Sequence, residues 1–168
     1  MKVEISHLPN GVHDLDVVGE PADFELEDSG GFKNEIQVQL KLDKKSDSVY
    51  LQLSAKTKIR LDCDRCLDEF EENIAAQARI IFTRDASLGD NNDEVRDLEL
   101  NQAELDITND VHDLLLLAVP IKSLCKSDCK GLCPHCGENL NLGECGCQVT
   151  TVDPRWEALQ ALSKNRQN

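Results

Sequence analysis

Ile36-Gln37-Val38-Gln39-Leu40-Lys41-Leu42 alternates apolar and polar side chains without a break, and the same period of two resumes at Val49-Tyr50-Leu51-Gln52-Leu53-Ser54-Ala55. A strand turns successive side chains to opposite faces, so this period marks strands with one buried and one wet side. Ile59 and Leu61 extend the second run, with Lys58 and Arg60 in the opposite phase, and Ile74, Ala76, Ala78, Ile80 and Phe82 form a third. Three such segments in succession predict an antiparallel sheet, open or partly closed into a barrel. The shorter segments Lys2 to Ser6 and Ala22 to Glu27 are expected to add edge strands.

Further along, the alternation collapses between Arg84 and Arg96. Asp85, Gly89, Asp90, Asn91, Asn92, Asp93 and Glu94 read there as a solvated loop. Its charge also suits it to dock a basic partner. Thr108 or Asn109 then caps a helix in which Val111, Leu114, Leu115, Ala118 and Val119 share one face, and Pro120 ends it. That helix is expected to seal the sheet. Asp153 as cap, Pro154 at the first helical position, and Trp156, Leu159 and Leu162 at helical spacing signal a terminal helix. The fold class is therefore α+β. A β-rich core over 1–120, with its helix near 108–119, precedes a cysteine-rich extension over 121–168.

A length of 168 residues suits one ordinary domain with an appendage. Met1-Lys2-Val3-Glu4-Ile5-Ser6 lacks the apolar run of a signal peptide, and no stretch approaches the roughly 20 apolar residues of a membrane span. The expectation is a soluble, cytoplasmic protein with no membrane attachment. The net charge is -14, unevenly spread. Residues 1–60 hold 8 basic and 11 acidic side chains, residues 61–120 hold 4 and 16, and residues 121–168 hold 6 and 5. A chain this acidic is a poor generic binder of nucleic acid, whose affinity rests on Lys and Arg at phosphates. A basic protein suits it better.

The chain has 8 cysteines, and their spacing carries its chemistry. Cys63-x2-Cys66 stands alone; Cys125-x3-Cys129-x3-Cys133-x2-Cys136 and Cys145-x-Cys147 follow. Zinc in structural sites takes four ligands in a tetrahedron, and one tight turn lets both sulfurs of Cys-x2-Cys face the same ion. Two four-cysteine zinc sites account for all eight. Cys133, Cys136, Cys145 and Cys147 make a local, ribbon-like site, with Gly137 free to take the backbone of a tight turn. Cys63, Cys66, Cys125 and Cys129 then clip the extension onto the sheet. The competing partition joins Cys125, Cys129, Cys133 and Cys136, leaving Cys63 and Cys66 to Cys145 and Cys147.

Two other chemistries stand beside zinc. Cys63 and Cys66 can be read as a redox dithiol activated by Arg65, although Asp62, Asp64, Asp68 and Glu69 surround the pair with charge that disfavours a thiolate. A catalytic metal needs an open position, whereas eight cysteines divide evenly into closed sites. His135 reads as a turn residue. There is no His-Glu-x-x-His, deaminase His-x-Glu, phosphate loop or dinucleotide fingerprint, so no catalytic residues and no small-molecule substrate are expected.

Cys63-Asp64-Arg65-Cys66-Leu67, Leu116-Leu117-Ala118-Val119-Pro120, Leu124-Cys125, Cys129-Lys130-Gly131-Leu132-Cys133-Pro134, Cys136-Gly137, Asn139-Leu140-Asn141, Cys145-x-Cys147 and Asp153-Pro154-Arg155 together resemble the bacterial YceD-like family, the large ribosomal RNA subunit accumulation proteins. The resemblance runs from about Ile36 to Leu162, with Val119 where the family more often shows leucine. It implies a non-enzymatic factor in the biogenesis of large-subunit (23S) ribosomal RNA. Some relatives lack much of the C-terminal cluster, which implies that the second site is structural support. Partners expected on this reading are precursor RNA or a basic ribosomal protein. Lys122, Lys126 and Lys130, with Arg65 beside them, form a candidate RNA contact, weighed against ordinary solvation with Asp128, Glu138 and Glu144 cancelling their charge.

Overall fold

The computed structural model describes residues 1–84, 95–100 and 102–147. The acidic segment 85–94 and the expected helix from Asp153 lie outside the described residues. Among those described, seven strands and one α-helix occur in the order β1 (Lys2–Glu4), β2 (Gly11–Gly19), β3 (Ile36–Lys44), β4 (Ser48–Asp62), β5 (Glu69–Thr83), β6 (Val95–Asp97), β7 (Glu104–Asp106) and α1 (Thr108–Ala118).

The three alternating segments become β3, β4 and β5, antiparallel neighbours in the middle of a sheet ordered β2-β3-β4-β5-β6. Among the described residues the sheet stays open, and no barrel closes. It is also mixed, because β6 runs parallel to β5 at one edge. Both expected edge strands differ from the expectation. Lys2–Glu4 pairs with β7 in a separate two-stranded ribbon. Within Ala22 to Glu27 the chain instead turns through a 3-10 helix at Pro21–Phe24, where Pro21 presets the first turn and Glu25 enters the left-handed region at φ 57. The edge opposite β6 is formed by β2, paired with β3. Its period is blurred in the sequence because an edge strand buries little: Leu15 and Val17 face inward half-buried, while Val12 and Val18 stay outside at 57% and 59% exposure.

Val38, Leu40 and Leu42 of β3 lie opposite Ala55, Leu53 and Leu51 of β4, and all of them are buried, as are Ile36 and Val49. Ile74, Ile80 and Phe82 of β5 complete that face. Val111 and Leu115 of α1, Leu105 and Val3 of the ribbon, and Phe24 and Leu26 cover it. Burial of each such aliphatic side chain contributes about 1.5–3 kcal/mol. Gly19 permits this closure, since a Cβ there would stand 2.7 Å from the Phe24 ring.

The helix begins one residue earlier than the expected caps allow. Thr108 is already helical, Ile107 stands at the N-cap without a side-chain cap bond, and Asp106 just before it accepts bonds from the Thr108 amide at 3.0 Å and its hydroxyl at 2.6 Å. Arg96 of β6 grips the Asp110 carboxylate through both guanidinium nitrogens, one at 2.8 Å. His112 Nδ1 lies 2.9 Å from the Phe24 carbonyl. Val119, before Pro120, is extended, as the proline ring demands.

β4 and β5 are each 15 residues long and outrun β3, which is 9. Their distal halves stand as a two-stranded arm. Phe32 bridges to Ile59 on its flank, and Gly31 at φ 93 brings the chain so close that a Cβ would meet the Arg60 carbonyl at 2.4 Å. At the arm's tip sits Cys63 to Asp68.

Hydrogen bonds from the Thr108 side chain and amide hold the Asp106 carboxyl below its ordinary 3.8, with burial opposing. A depressed acid stabilises the fold above its unfolded pKa and loses that contribution as pH falls through the folded one. Asp106→Ala, which removes two hydrogen bonds made by a largely exposed carboxylate, is therefore expected to cost only about 0.5 kcal/mol near neutrality. In thermal unfolding at stepped pH, the gap to wild type should close below 3.8.

Candidate metal centres

Each Cys-x2-Cys lies in the same backbone frame. At the arm tip, the Leu67 amide donates to the Cys63 carbonyl at 2.9 Å and the Cys63 amide to the Asp68 carbonyl at 3.0 Å. In the extension, the Gly137 amide donates to the Cys133 carbonyl at 2.9 Å and the Cys133 amide to the Glu138 carbonyl at 2.8 Å. The residue after the second cysteine is left-handed in both, Leu67 at φ 62 and Gly137 at φ 75. Glycine takes that conformation freely, whereas leucine takes it at a cost of about 1–2 kcal/mol.

The structure brings Cys63, Cys66, Cys125 and Cys129 into one quartet and Cys133, Cys136, Cys145 and Cys147 into another, with all four sulfurs of each within 4.8 Å. This is the first of the two partitions weighed above. Across the first quartet, Cys63 and Cys129 sulfurs are 3.8 Å apart and Cys66 and Cys125 sulfurs 3.6 Å. A zinc–sulfur bond of about 2.3 Å puts the sulfurs of a tetrahedral site about 3.8 Å apart, so the donor set fits that ion. Cys63, Cys66 and Cys129 are buried and Cys125 half-buried; in the second quartet only Cys133 is buried.

The surroundings favour thiolates at selected sulfurs. Burial raises the Cys63 thiol, but amides of Cys125, Arg65 and Cys66 aimed at its sulfur prevail and bring it to about 6. Amides of Cys136 and His135 bring Cys133 to about 6. The Asn141 side-chain amide, 3.3 Å from the Cys129 sulfur, lowers that thiol. Their neighbours move the other way: burial pushes Cys125 up, and the adjacent Cys136 holds Cys147 up to about 12. Four sulfurs packed together cannot all ionise without a cation between them. A metal ion held there would supply that charge.

Polar contacts stitch the extension to the arm tip beside the sulfurs. Asp64 and Ser123 exchange bonds, amide to carbonyl at 2.9 Å and Ser123 amide to Asp64 carboxylate at 2.7 Å. Arg65 Nη1 donates to the Cys129 carbonyl at 2.7 Å, and the Arg65 carbonyl accepts from the Leu132 amide at 3.0 Å. Asn139 Nδ2 donates to Asp68 at 2.8 Å. Asp64 and Asp68, which the sequence presents as charges hostile to a thiolate, are thus clamps. Asn139, quoted there only within the family resemblance, is a clamp too, and Asn141 braces the quartet from within the extension, donating to the Cys129 sulfur and accepting from the Lys130 amide. Their signal was the Asn-x-Asn pattern just beyond a cysteine knuckle.

Arg65, Lys122, Lys126 and Lys130 are all exposed on the residues that build the first quartet. None of these four forms an ion pair among the described residues. His135 lies outside both quartets, and only its amide, 3.5 Å from the Cys133 sulfur, takes part. Gly131, at φ 78, lies where a Cβ would meet the Arg65 carbonyl at 3.0 Å. Gly131→Ala is expected to lower the unfolding midpoint by the equivalent of about 1–2 kcal/mol, whereas Leu67→Gly leaves it unchanged or raises it. Thermal unfolding of both variants checks the pair.

The family model described as "Large ribosomal RNA subunit accumulation protein YceD" matches residues 51–163, which include all eight cysteines. A chloroplastic large ribosomal RNA subunit accumulation protein YCED homolog 1 of Arabidopsis thaliana is 26% identical over 159 residues, covering 79% of this chain and 50% of that protein. The chain thus spans about half the length of that relative. The homolog of the same name in Zea mays is 27% identical over 126 residues, with 58% of this chain and 43% of that protein covered. An uncharacterized protein of Mycobacterium tuberculosis is 27% identical over 168 residues, with 95% of this chain and 79% of that protein covered. No solved structure matches. With its matched span running from near the start of β4 through both cysteine quartets, this chain belongs to the YceD family of large ribosomal RNA subunit accumulation proteins.

Proposed function

We propose that the chain is a non-enzymatic cytoplasmic factor that supports accumulation of large-subunit ribosomal RNA by binding a component of the assembling subunit. In this reading 1–120 is the working core and 121–168 an extension that two structural zinc ions order. The family match supports the role in ribosomal RNA accumulation. The single structural observation that carries the binding reading is the closure of all eight sulfurs into two quartets. Four protein ligands fill a tetrahedral ion and leave no position for substrate or water, which is the arrangement of a structural site. When bound, zinc would neutralise the facing thiolates and lock the arm tip to the extension. A thiol-disulfide role for Cys63 and Cys66 is not supported, because each sulfur faces a cysteine of the extension and not an isolated dithiol partner.

Of the two partner classes, precursor RNA and a basic ribosomal protein, the exposed cations at the first quartet and on the outer sheet face support RNA. Depleting the protein from growing cells should lower large-subunit RNA relative to small-subunit RNA, and an unchanged ratio would refute the role. Metal analysis of protein purified without chelator should find two zinc per chain. Cys125→Ser should remove one and raise amide exchange across 122–141, and Cys145→Ser should remove one while Cys63 to Cys66 stays protected. Protein that lacks zinc and cycles a Cys63–Cys66 disulfide reversibly would restore the redox reading.

A further inference from the structure

The outer face of the five-stranded sheet serves neither the core nor the quartets. Cross-strand register lays its side chains in rows: Asp14, Lys41, Gln52, Arg79; then Asp16, Gln39, Ser54, Gln77; then Val18, Gln37, Lys56, Ala75. Three concavities of 450, 470 and 370 Å³ all include Gln52 and merge along the first rows. A fourth, of 780 Å³, opens at the next row, where the arm leaves β3 between Asn34, Lys56 and Asn73. The three that meet at Gln52 and the fourth beside them, which shares no lining residue with them, lie side by side along the face as one shallow, segmented hollow.

We propose that this hollow binds single-stranded RNA, with Lys41, Lys56 and Arg79 at phosphates and the amide side chains and Tyr50 at bases. The proposal rests on the ribosomal RNA role above and gives it a surface. Single-stranded RNA asks for cations along its backbone, groups that both donate and accept toward base edges, and an aromatic surface for stacking. Gln37, Gln39, Gln52, Asn73 and Gln77 all project here, and an amide donates and accepts alike. Tyr50, the chain's one tyrosine, is 41% exposed on the same face, with the Lys45 ammonium 4.5 Å from its ring centroid.

Charge selects the face. In a chain of net charge -14, most of the surface repels a polyanion. Yet from the Asp43–Tyr50 row to the Arg60–Glu71 row, β3, β4 and β5 turn outward Lys41, Lys56, Lys58, Arg60 and Arg79 against only Asp43 and Glu71. Glu71 takes Lys58 at 3.2 Å, Glu69 at the arm tip takes Arg60 at 3.9 Å, and Asp43 takes Lys45 at 3.9 Å. Lys41, Lys56 and Arg79 form no ion pair among the described residues. The remaining carboxylates are Asp14 and Asp16 on edge strand β2, where Asp16 accepts the Gln39 amide at 3.0 Å, and the exposed Glu35, which lines the fourth concavity. Lys41 and Arg79 lie two strands apart, about 10 Å, and Lys56 lies about 13 Å further along β4. That triangle suits a short stretch of about four nucleotides.

The test measures binding of a labelled, unstructured oligoribonucleotide of about 12 nucleotides to the full chain across a salt series. Replacing Lys41, Lys56 and Arg79 together with Gln should weaken binding at least about tenfold and lower the log–log salt slope by about 2, since each phosphate no longer neutralised takes roughly 0.7 from it. Tyr50→Ala should weaken it about tenfold with the slope unchanged, since stacking releases no counterions. All four side chains face outward, so unfolding midpoints should stay at the wild-type value. No binding at low salt overturns the proposal. So does binding that survives these changes but falls when Lys122, Lys126 and Lys130 are replaced, or a face that holds a basic ribosomal protein and leaves RNA binding untouched by its variants. If depletion lowers large-subunit RNA but the face binds none, this assignment alone fails. If depletion leaves large-subunit RNA unchanged, the ribosomal role fails whatever the face binds.

Discussion

β4 and β5 pair over their full 15 residues, and every other feature depends on the register of that pairing. The side-chain period of a strand is two, so a slip of one residue would send Leu51, Leu53 and Ala55 into water and Gln52, Ser54 and Lys56 into the core. The same register sets Asp62 opposite Glu69 and leaves six residues to turn at the tip. Those six hold Cys63 and Cys66. Because β3 is shorter, the arm projects beyond the sheet and offers its tip to a segment more than fifty residues away. The core face, the outer hollow and the first cysteine quartet are three consequences of one pairing.

The joint at the arm tip combines two kinds of interaction that reinforce each other. Asp64, Arg65 and Asp68 bind the extension through backbone and side-chain hydrogen bonds beside Cys125 and Cys129. The sulfurs so gathered are mostly buried and mutually repulsive as thiolates, and a cation removes that repulsion. Leu67, left-handed where the second knuckle has Gly137, shows that the first knuckle holds its shape by context and the second by residue choice. The buried quartet is the structural joint. The more exposed one shapes the extension locally.

Acidity and a nucleic-acid role are compatible because charge is sorted by surface. The middle third carries 16 acidic against 4 basic side chains, yet several of its carboxylates are occupied: Asp64 and Asp68 in the joint, Glu69 and Glu71 on arm cations, Asp106 and Asp110 at the start of α1. What remains outward on the central strands is mostly amide and cation. On the proposal above, a surface of that kind would attract one strand of RNA locally while the rest of the molecule discourages unspecific adhesion.

The sequence by itself determined the three central strands, the helix that covers them and the grouping of the cysteines into fours, because period, capping and ligand spacing are local properties. It misread the edges. β2 buries too little for its period to show, and Lys2–Glu4 pairs with β7, a partner about a hundred residues away that no local pattern reveals. Only the tertiary structure decided which cysteines face each other, since that depends on an arm outrunning its neighbour strand. It also decided that Asp64, Asp68 and Asn139 clamp the arm tip to the extension, and that the wet phase of the strands carries shallow concavities. Each of these is a relation between segments distant in the chain, brought within hydrogen-bonding range only when the sheet is complete.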